Sequence, residues 1–214
     1  MNRQIDNYYS RERRELLALL PESLRPAKVL DVGCGEGATA RILKEEFGAE
    51  TVIGIEKDKR AAQRAASVLD RVHRIDAEAE PLPFAEQEFD LILFADVLEH
   101  LRHPWDAVKR YSRLLRKDGL ILSSLPNAQH WSLSLKLLMG RWSYTDGGLL
   151  DRTHLRFFTR RSIEPLFEPA GLKIERVHCK MGPEVRILNL FTAGLFRGLL
   201  TFQYLVRARR TQSG

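Results

Sequence analysis

The chain has 214 residues, 44% of them hydrophobic and 29% charged, with a formal net charge of +6 at pH 7. That length accommodates one α/β domain with a full core, and that balance belongs to an ordinary globular protein rather than a disordered or fibrous one. Two cysteines, Cys34 and Cys179, exclude a disulfide framework and a cysteine-built metal site.

Strand-like and helix-like segments alternate from residue 28 onward, which predicts a mostly parallel sheet covered on both faces. Residues 28–32 read as the first strand and 38–47 as a helix closed by Gly48. A second strand follows at 51–56, then an alanine-rich helix at 59–69 and a less apolar third strand at 72–76, suited to a sheet edge. The continuous apolar run in 89–95 fits a strand buried on both faces. Pro104 opens a helix expected to run to about Lys117 and to stop at Asp118-Gly119, before a fifth strand at 120–124. The pattern lapses over 126–160, a segment expected to be an acceptor-side insertion or lid within a single domain spanning 1–214. A helix near 161–168, confined or kinked by Pro165, and a strand at 172–179 resume it. Residues 187–200 are strongly apolar yet too short to span a membrane. They are expected to form a packing helix before a last strand at 202–208, with a peripheral membrane-surface helix as the competing reading.

The basic residues are scattered over four clusters, and Lys109, Arg113 and Arg116 have the spacing of a solvated helix face. No aromatic residues interleave with them as a base-stacking platform requires, so no specific nucleic-acid partner is expected. The polar start of the chain, without an apolar signal segment, points to a cytoplasmic protein.

The most informative stretch is Val29 to Gly37. A strand ends at an acid, Asp31, and the glycines of Gly33-x-Gly35-x-Gly37 turn the backbone into a helix, so that a ligand can lie against bare backbone. The loose dinucleotide pattern is also satisfied, but a carboxylate at Asp31 would repel a pyrophosphate and would suit a cation. Glu56, at the end of the second strand and about 20 residues on, stands where an acid accepts both ribose hydroxyls. A solvated acid among charged neighbours is the alternative for Glu56.

From Asp31 to Gly37 the chain resembles the class I S-adenosylmethionine-dependent methyltransferases, whose first motif is D-x-G-x-G-x-G, and the resemblance extends over roughly residues 8–209. It implies a Rossmann-like α/β fold with a mostly parallel seven-stranded sheet, one antiparallel C-terminal strand and helices on both faces. It also implies S-adenosylmethionine as cofactor and S-adenosylhomocysteine as product. The loop residues Gly33, Cys34, Gly35 and Gly37 would pack on the methionine half, with Cys34 serving as a small side chain, and Glu56 and Lys57 would flank the ribose. Asp76, Ala77 and Glu78 would meet the adenine, while Ala95 and Asp96 would line the methionine side. Tyr8 and Tyr9 are candidates to close over the cofactor, though a tyrosine pair could equally belong to core or surface.

A sulfonium carries its own activation, so the protein must align the nucleophile and take its proton. Two constellations offer that chemistry. In Asp151-Arg152-Thr153-His154 a carboxylate beside a histidine suits a general base, a structural histidine being the alternative. The other is Asp96-x-x-Glu99-His100. With a later histidine it is similar to the E-x-x-E-H metal motif of small-RNA 2′-O-methyltransferases and some quinone-pathway enzymes. Aspartate in the first position shortens the reach, and no metal is expected. His154, Asp151 and His100 are therefore the candidate catalytic residues.

Segments around Pro126-Asn127, Trp131, Gly140-Arg141-Trp142 and 151–159 look like bacterial methyltransferases found with glycosyltransferases. The expected reaction is O-methylation of a small molecule, glycan or lipid-linked saccharide. The alternatives are a metal-dependent RNA 2′-O-methyltransferase and an NAD-binding oxidoreductase. The latter is opposed by Asp31 and by the lack of a Ser…Tyr-x-x-x-Lys set.

Overall fold

A computed structural model describes residues 9–79 and 81–211. Seven strands form one sheet in the order β3-β2-β1-β4-β5-β7-β6. They are β1 (Lys28–Val32), β2 (Thr51–Ile55), β3 (Arg71–His73), β4 (Phe89–Ala95), β5 (Leu115–Pro126), β6 (Leu172–Lys180) and β7 (Gln203–Arg210). All neighbouring pairs from β3 to β5 are parallel, and only β7 runs against its two neighbours, β5 and β6. The strand order reverses direction at β1 and β4, where open α/β sheets carry a crevice beyond the carboxyl ends.

The central strands alternate their side chains between two apolar layers. Leu30, Val32, Ile92, Phe94 and Ile121 pack toward α4 (Pro104–Leu114) and α6 (Glu164–Phe167), with Tyr111 and Phe167 fully buried among them. Val29, Leu91, Leu93, Leu120 and Leu122 face the other way, onto α1 (Arg14–Leu17), α2 (Ala38–Phe47) and α3 (Lys59–Ala65). Each such side chain contributes about 1.5–3 kcal/mol on burial, which fixes both layers and leaves the strand ends free for a site. Asp58 caps α3 by accepting the backbone N–H groups of Arg60 and Ala61, each at 2.9 Å.

Several boundaries differ from the sequence expectation. β3 pairs only with β2, so it is three residues long, and Asp76 leaves the sheet in a turn rather than ending the strand. The helix from Pro104 stops at Leu114, because Leu115 already pairs with Phe89 of β4. Asp118-Gly119 is then a bulge within β5, with Asp118 at φ +62°, rather than a connection. Prolines at 165 and 169 break 160–170 into α6 flanked by two 3-10 turns. The 126–160 segment contains one helix, α5 (Trp131–Leu138), and is otherwise irregular. The largest departure is α7 (Pro183–Phe191). The expected packing helix forms, but none of its residues is buried, and α8 (Arg197–Leu200) follows as a separate turn before β7. Among the described residues no helix is long and apolar enough to cross a membrane.

Candidate active site

The carboxyl ends of β1, β2 and β4 open on a cleft of about 520 Å³. The loop after β1 is tied to β2 by the N–H groups of Gly33 and Cys34, which both donate to the carbonyl of Ile55 at 2.8 and 3.0 Å. Gly35, at φ +56°, lies under the N-terminal segment: a Cβ there would stand 2.5 Å from the Tyr9 carbonyl, which accepts the N–H of Glu36 at 2.9 Å. The Tyr9 side chain lines the cleft, and burial together with the charge of Glu56 raises its phenol pKa. Tyr8 lies outside the described residues.

Two carboxylates give the cleft its character. Asp31 is 2% exposed, and its Oδ2 has no hydrogen-bond partner among the described residues. Burial, then the negative charge of Glu56, pushes its pKa up to about 7, against the pull of the Arg13 guanidinium. Glu56 accepts the N–H of Gly35 at 3.1 Å and that of Asp58 at 2.8 Å, so its carboxylate is aimed by the loops on either side. A buried carboxylate with an open oxygen costs free energy unless a proton, a cation or a donor reaches it, and the raised pKa of Asp31 reflects that cost.

The remaining expected contacts fall as follows. Lys57, Asp76, Ala77, Glu78 and Ala95 all line the cleft. Asp76 accepts the Glu78 N–H at 2.8 Å, and the Ala77 carbonyl is held by Tyr111 Oη and Arg110 Nη2 at 3.0 and 3.1 Å. Both oxygens of Glu78 are engaged, by the N–H groups of Arg102 and His103, so it braces the entry to α4. Gly37 is the exception. It caps α2 at φ +85° and faces α3, where a Cβ would stand 2.6 Å from Leu69 Cδ1, so its task is helix packing rather than contact with the cleft. Cys34 fits as a small side chain against Gly54, where an added Cβ would lie 2.5 Å from its sulfur.

Asp96 stands at φ +58° between this cleft and a second cavity of about 230 Å³, and both share Arg11, Arg13, Asp96 and His100. Its N–H donates to Ser124 Oγ at 2.8 Å, its carboxylate accepts from Ser124 and Gln203, and Arg13 Nη2 pairs with Oδ2 at 2.7 Å. The partition is thus pinned from β5, β7 and the N-terminal segment at once. A non-glycine residue at positive φ persists only where surroundings over-determine it.

The second cavity is lined by His100 and His154, whose rings meet edge-on with centroids 4.9 Å apart. The N–H groups of Leu155 and Arg156 donate to the Glu99 carbonyl at 2.8 and 3.0 Å, which brings the irregular segment onto the turn after β4. The Asp151 carboxylate does not bond the His154 ring, whose Nδ1 lies 3.4 Å from the Leu149 carbonyl. Asp151 Oδ1 instead accepts from Thr153, at 2.8 Å from its N–H and 2.6 Å from its hydroxyl. Thr153 in turn lies 3.1 Å from His100 Nδ1 through both its carbonyl and its hydroxyl, so Asp151 reaches the histidine pair through Thr153. Burial lowers the pKa of both histidines. Glu99 is 1% exposed and neither carboxylate oxygen has a hydrogen-bond partner among the described residues; burial and the charge of Asp96 raise its pKa well above the usual range. Glu99, His100 and His154 offer ligand atoms within 4.8 Å of one another. Sequence reading missed Arg13, visible only as one of a basic run, and the burial of Glu99.

A family model described as a methyltransferase domain matches residues 1–177. The chain belongs to the class I S-adenosylmethionine-dependent methyltransferases. The malonyl-[acyl-carrier protein] O-methyltransferase of Geobacter sulfurreducens is 31% identical over 164 residues, covering 75% of this chain and 61% of that protein. The ubiquinone biosynthesis O-methyltransferase of Cereibacter sphaeroides is 30% identical over 167 residues, covering 74% and 64%. The curated relatives are longer, and the chain covers as little as 44% of their length. Methyltransferase structures from Archaeoglobus fulgidus and Mesorhizobium loti share the fold, with TM-scores of 0.69 and 0.66 at 19% and 20% identity. They cover 96% and 92% of this chain, which covers 98% and 96% of theirs. Membership removes the oxidoreductase alternative, and S-adenosylmethionine is the cofactor of this family.

Proposed function

We propose that the chain binds S-adenosylmethionine in the larger cleft and catalyses transfer of its methyl group to an oxygen of a small-molecule or saccharide acceptor held in the second cavity. The observation that carries this reading is the pairing of the open Asp31 carboxylate with Glu56 on either side of the glycine loop, next to a histidine-lined cavity. Two named relatives, acting on malonyl-carrier protein and in ubiquinone synthesis, are O-methyltransferases, which supports oxygen as the acceptor atom.

In this reading Asp31 attracts the cationic half of the cofactor, and Glu56 accepts the ribose hydroxyls. Lys57, Asp76 and Ala77 border the nucleoside, and Tyr9 closes over it. The cofactor supplies a methyl carbon already activated by a sulfonium. His154, its pKa lowered by burial, would take the proton of an acceptor hydroxyl held in the second cavity. His100, tethered through Thr153 to Asp151, holds the His154 ring edge-on. The 126–160 segment, which contributes Gly148, Leu149 and His154 to the cavity wall, acts as the acceptor-side lid.

Calorimetry with S-adenosylhomocysteine tests the cofactor half. Binding is expected, with Glu56→Ala weakening it by about ten- to a hundred-fold, because hydrogen bonds to a charged group contribute about 1.5–3 kcal/mol. Binding of NAD in its place would overturn the assignment.

A second reading of the histidine pair is favoured by the unpartnered buried oxygens of Glu99 beside His100 and His154. These three residues would hold a divalent cation, which would supply Lewis-acid activation of the acceptor oxygen. Activity that survives EDTA dialysis, with no zinc or magnesium heat in titration, supports the base reading; loss restored by added metal supports the cation.

A further inference from the structure

Large apolar side chains on the surface of this molecule are not scattered. Of those strongly exposed, all but Trp105, Leu155 and Phe157 lie in two stretches, 131–144 on and after α5, and 187–202 on α7 and α8. Leu138, Leu190, Phe191 and Leu195 are 85%, 80%, 83% and 79% exposed. Apolar exposure on this scale marks an interaction surface.

The two stretches share a root. Asn127, just before α5, is fully buried, and its Nδ2 donates to the carbonyls of Gly198 and Thr201 at 2.7 Å each. The His130 ring packs edge-on against Phe202, with centroids 5.7 Å apart. Phe202 also lines the second cavity together with Gly148, Leu149 and Lys180, so the shared root borders the acceptor side.

Charge selects the occupant. The chain carries 28 acidic residues, yet neither 128–144 nor 185–204 contains one, and Glu184 in the first turn of α7 stands just outside the second stretch. Their charges are Lys136, Arg141, Arg186 and Arg197, all cationic. A symmetric interface with a second copy would set these four cations against themselves, with Glu184 as the one acid on α7 to offset them. An anionic bilayer complements them, each contributing about 1 kcal/mol near such a surface. Trp131, Trp142 and Tyr144, each partly exposed, are the residues that favour the headgroup level.

We propose that α5 and the α7–α8 connection form one two-part membrane-docking surface that seats the acceptor cavity on an anionic lipid bilayer. The lipid binding stands on the surface alone; its use in presenting a lipid-borne acceptor rests on the proposed methyl transfer.

The test is co-sedimentation of the full chain with vesicles of phosphatidylcholine, with and without phosphatidylglycerol. The chain is expected to partition onto the anionic vesicles, less so as salt rises. Leu190→Glu with Phe191→Glu, and separately Leu138→Glu with Met139→Glu, should each lower partitioning by at least about tenfold, since both add anionic charge and remove apolar contact. Thermal unfolding and S-adenosylhomocysteine binding of these variants should match the parent. A parent that stays in the supernatant, variants that sediment as well as the parent, or a dimer that the same substitutions dissolve would each overturn the proposal. Vesicle binding without S-adenosylhomocysteine binding would instead sink the methyl-transfer reading and leave the surface intact.

Discussion

Asp31 places a titrating group inside the larger cleft. Its folded-state pKa is about 7, raised from 3.8, so between those values the folded protein holds a proton that the unfolded chain has released. The ligand-free protein therefore loses stability from this residue as pH rises through that window, and the loss levels off above it. A cationic ligand prefers the ionised form. At about pH 6 only roughly a tenth of the molecules have Asp31 ionised, so S-adenosylmethionine should bind roughly tenfold more weakly there than at about pH 8. Titrations across that range check it, and Asp31→Asn should flatten the profile. A slope that survives in Asp31→Asn would remove the residue from this role. At the second cavity, His154→Ala is expected to lower turnover by about 10²–10⁴ with S-adenosylhomocysteine affinity unchanged. Intact turnover with the true acceptor would dismiss the histidine as base. The placement of Asp31 and Glu56 at the larger cleft and of His154 at the second cavity was legible in the sequence, because strand ends and glycine spacing announce the first two and the company of Asp151 the third. Arg13 and Glu99 were not, since pairing across the partition and burial exist only once the chain has folded.

The glycine loop is an element whose geometry is set by a neighbour distant in space. Gly35→Ala would drive a methyl group to 2.5 Å from the Tyr9 carbonyl at a backbone φ of +56°. Destabilisation of about 1–3 kcal/mol is expected, together with loss of the N-terminal cover over the cleft. Thermal unfolding with and without S-adenosylhomocysteine checks both, because loss of the cover should also shrink the ligand-induced rise. An unchanged melt would show that the N-terminal segment is not held there. The parallel strands were readable because each is an apolar run between turn residues. Boundaries failed where pairing overrode local signals: Leu115 joins β4 before the Asp118-Gly119 kink arrives. α7 was misjudged for a different reason. Its apolar content is that of a buried helix, and only the absence of a covering element reveals that it faces outward.

A ligand that binds only the folded state stabilises the whole molecule. Saturation with S-adenosylhomocysteine at about a hundred times its Kd should add about 2.7 kcal/mol, a rise in Tm of roughly 5–10 °C for a chain of this size. NAD at the same concentration should leave Tm unchanged, and the reverse pattern would discard the cofactor assignment.

The order β5-β7-β6 has a consequence for how the molecule comes into being. β6 is hydrogen-bonded to β7 alone, yet precedes it in the chain by the whole α7–α8 connection. During synthesis β6 emerges as an orphan, its backbone donors and acceptors unclaimed until residues 203–210 slot between it and β5 like the last stave of a cask. Ribosome-bound intermediates halted before that point should expose a sticky strand to chaperones, and an internal deletion of β7 should cost β6 its place as well.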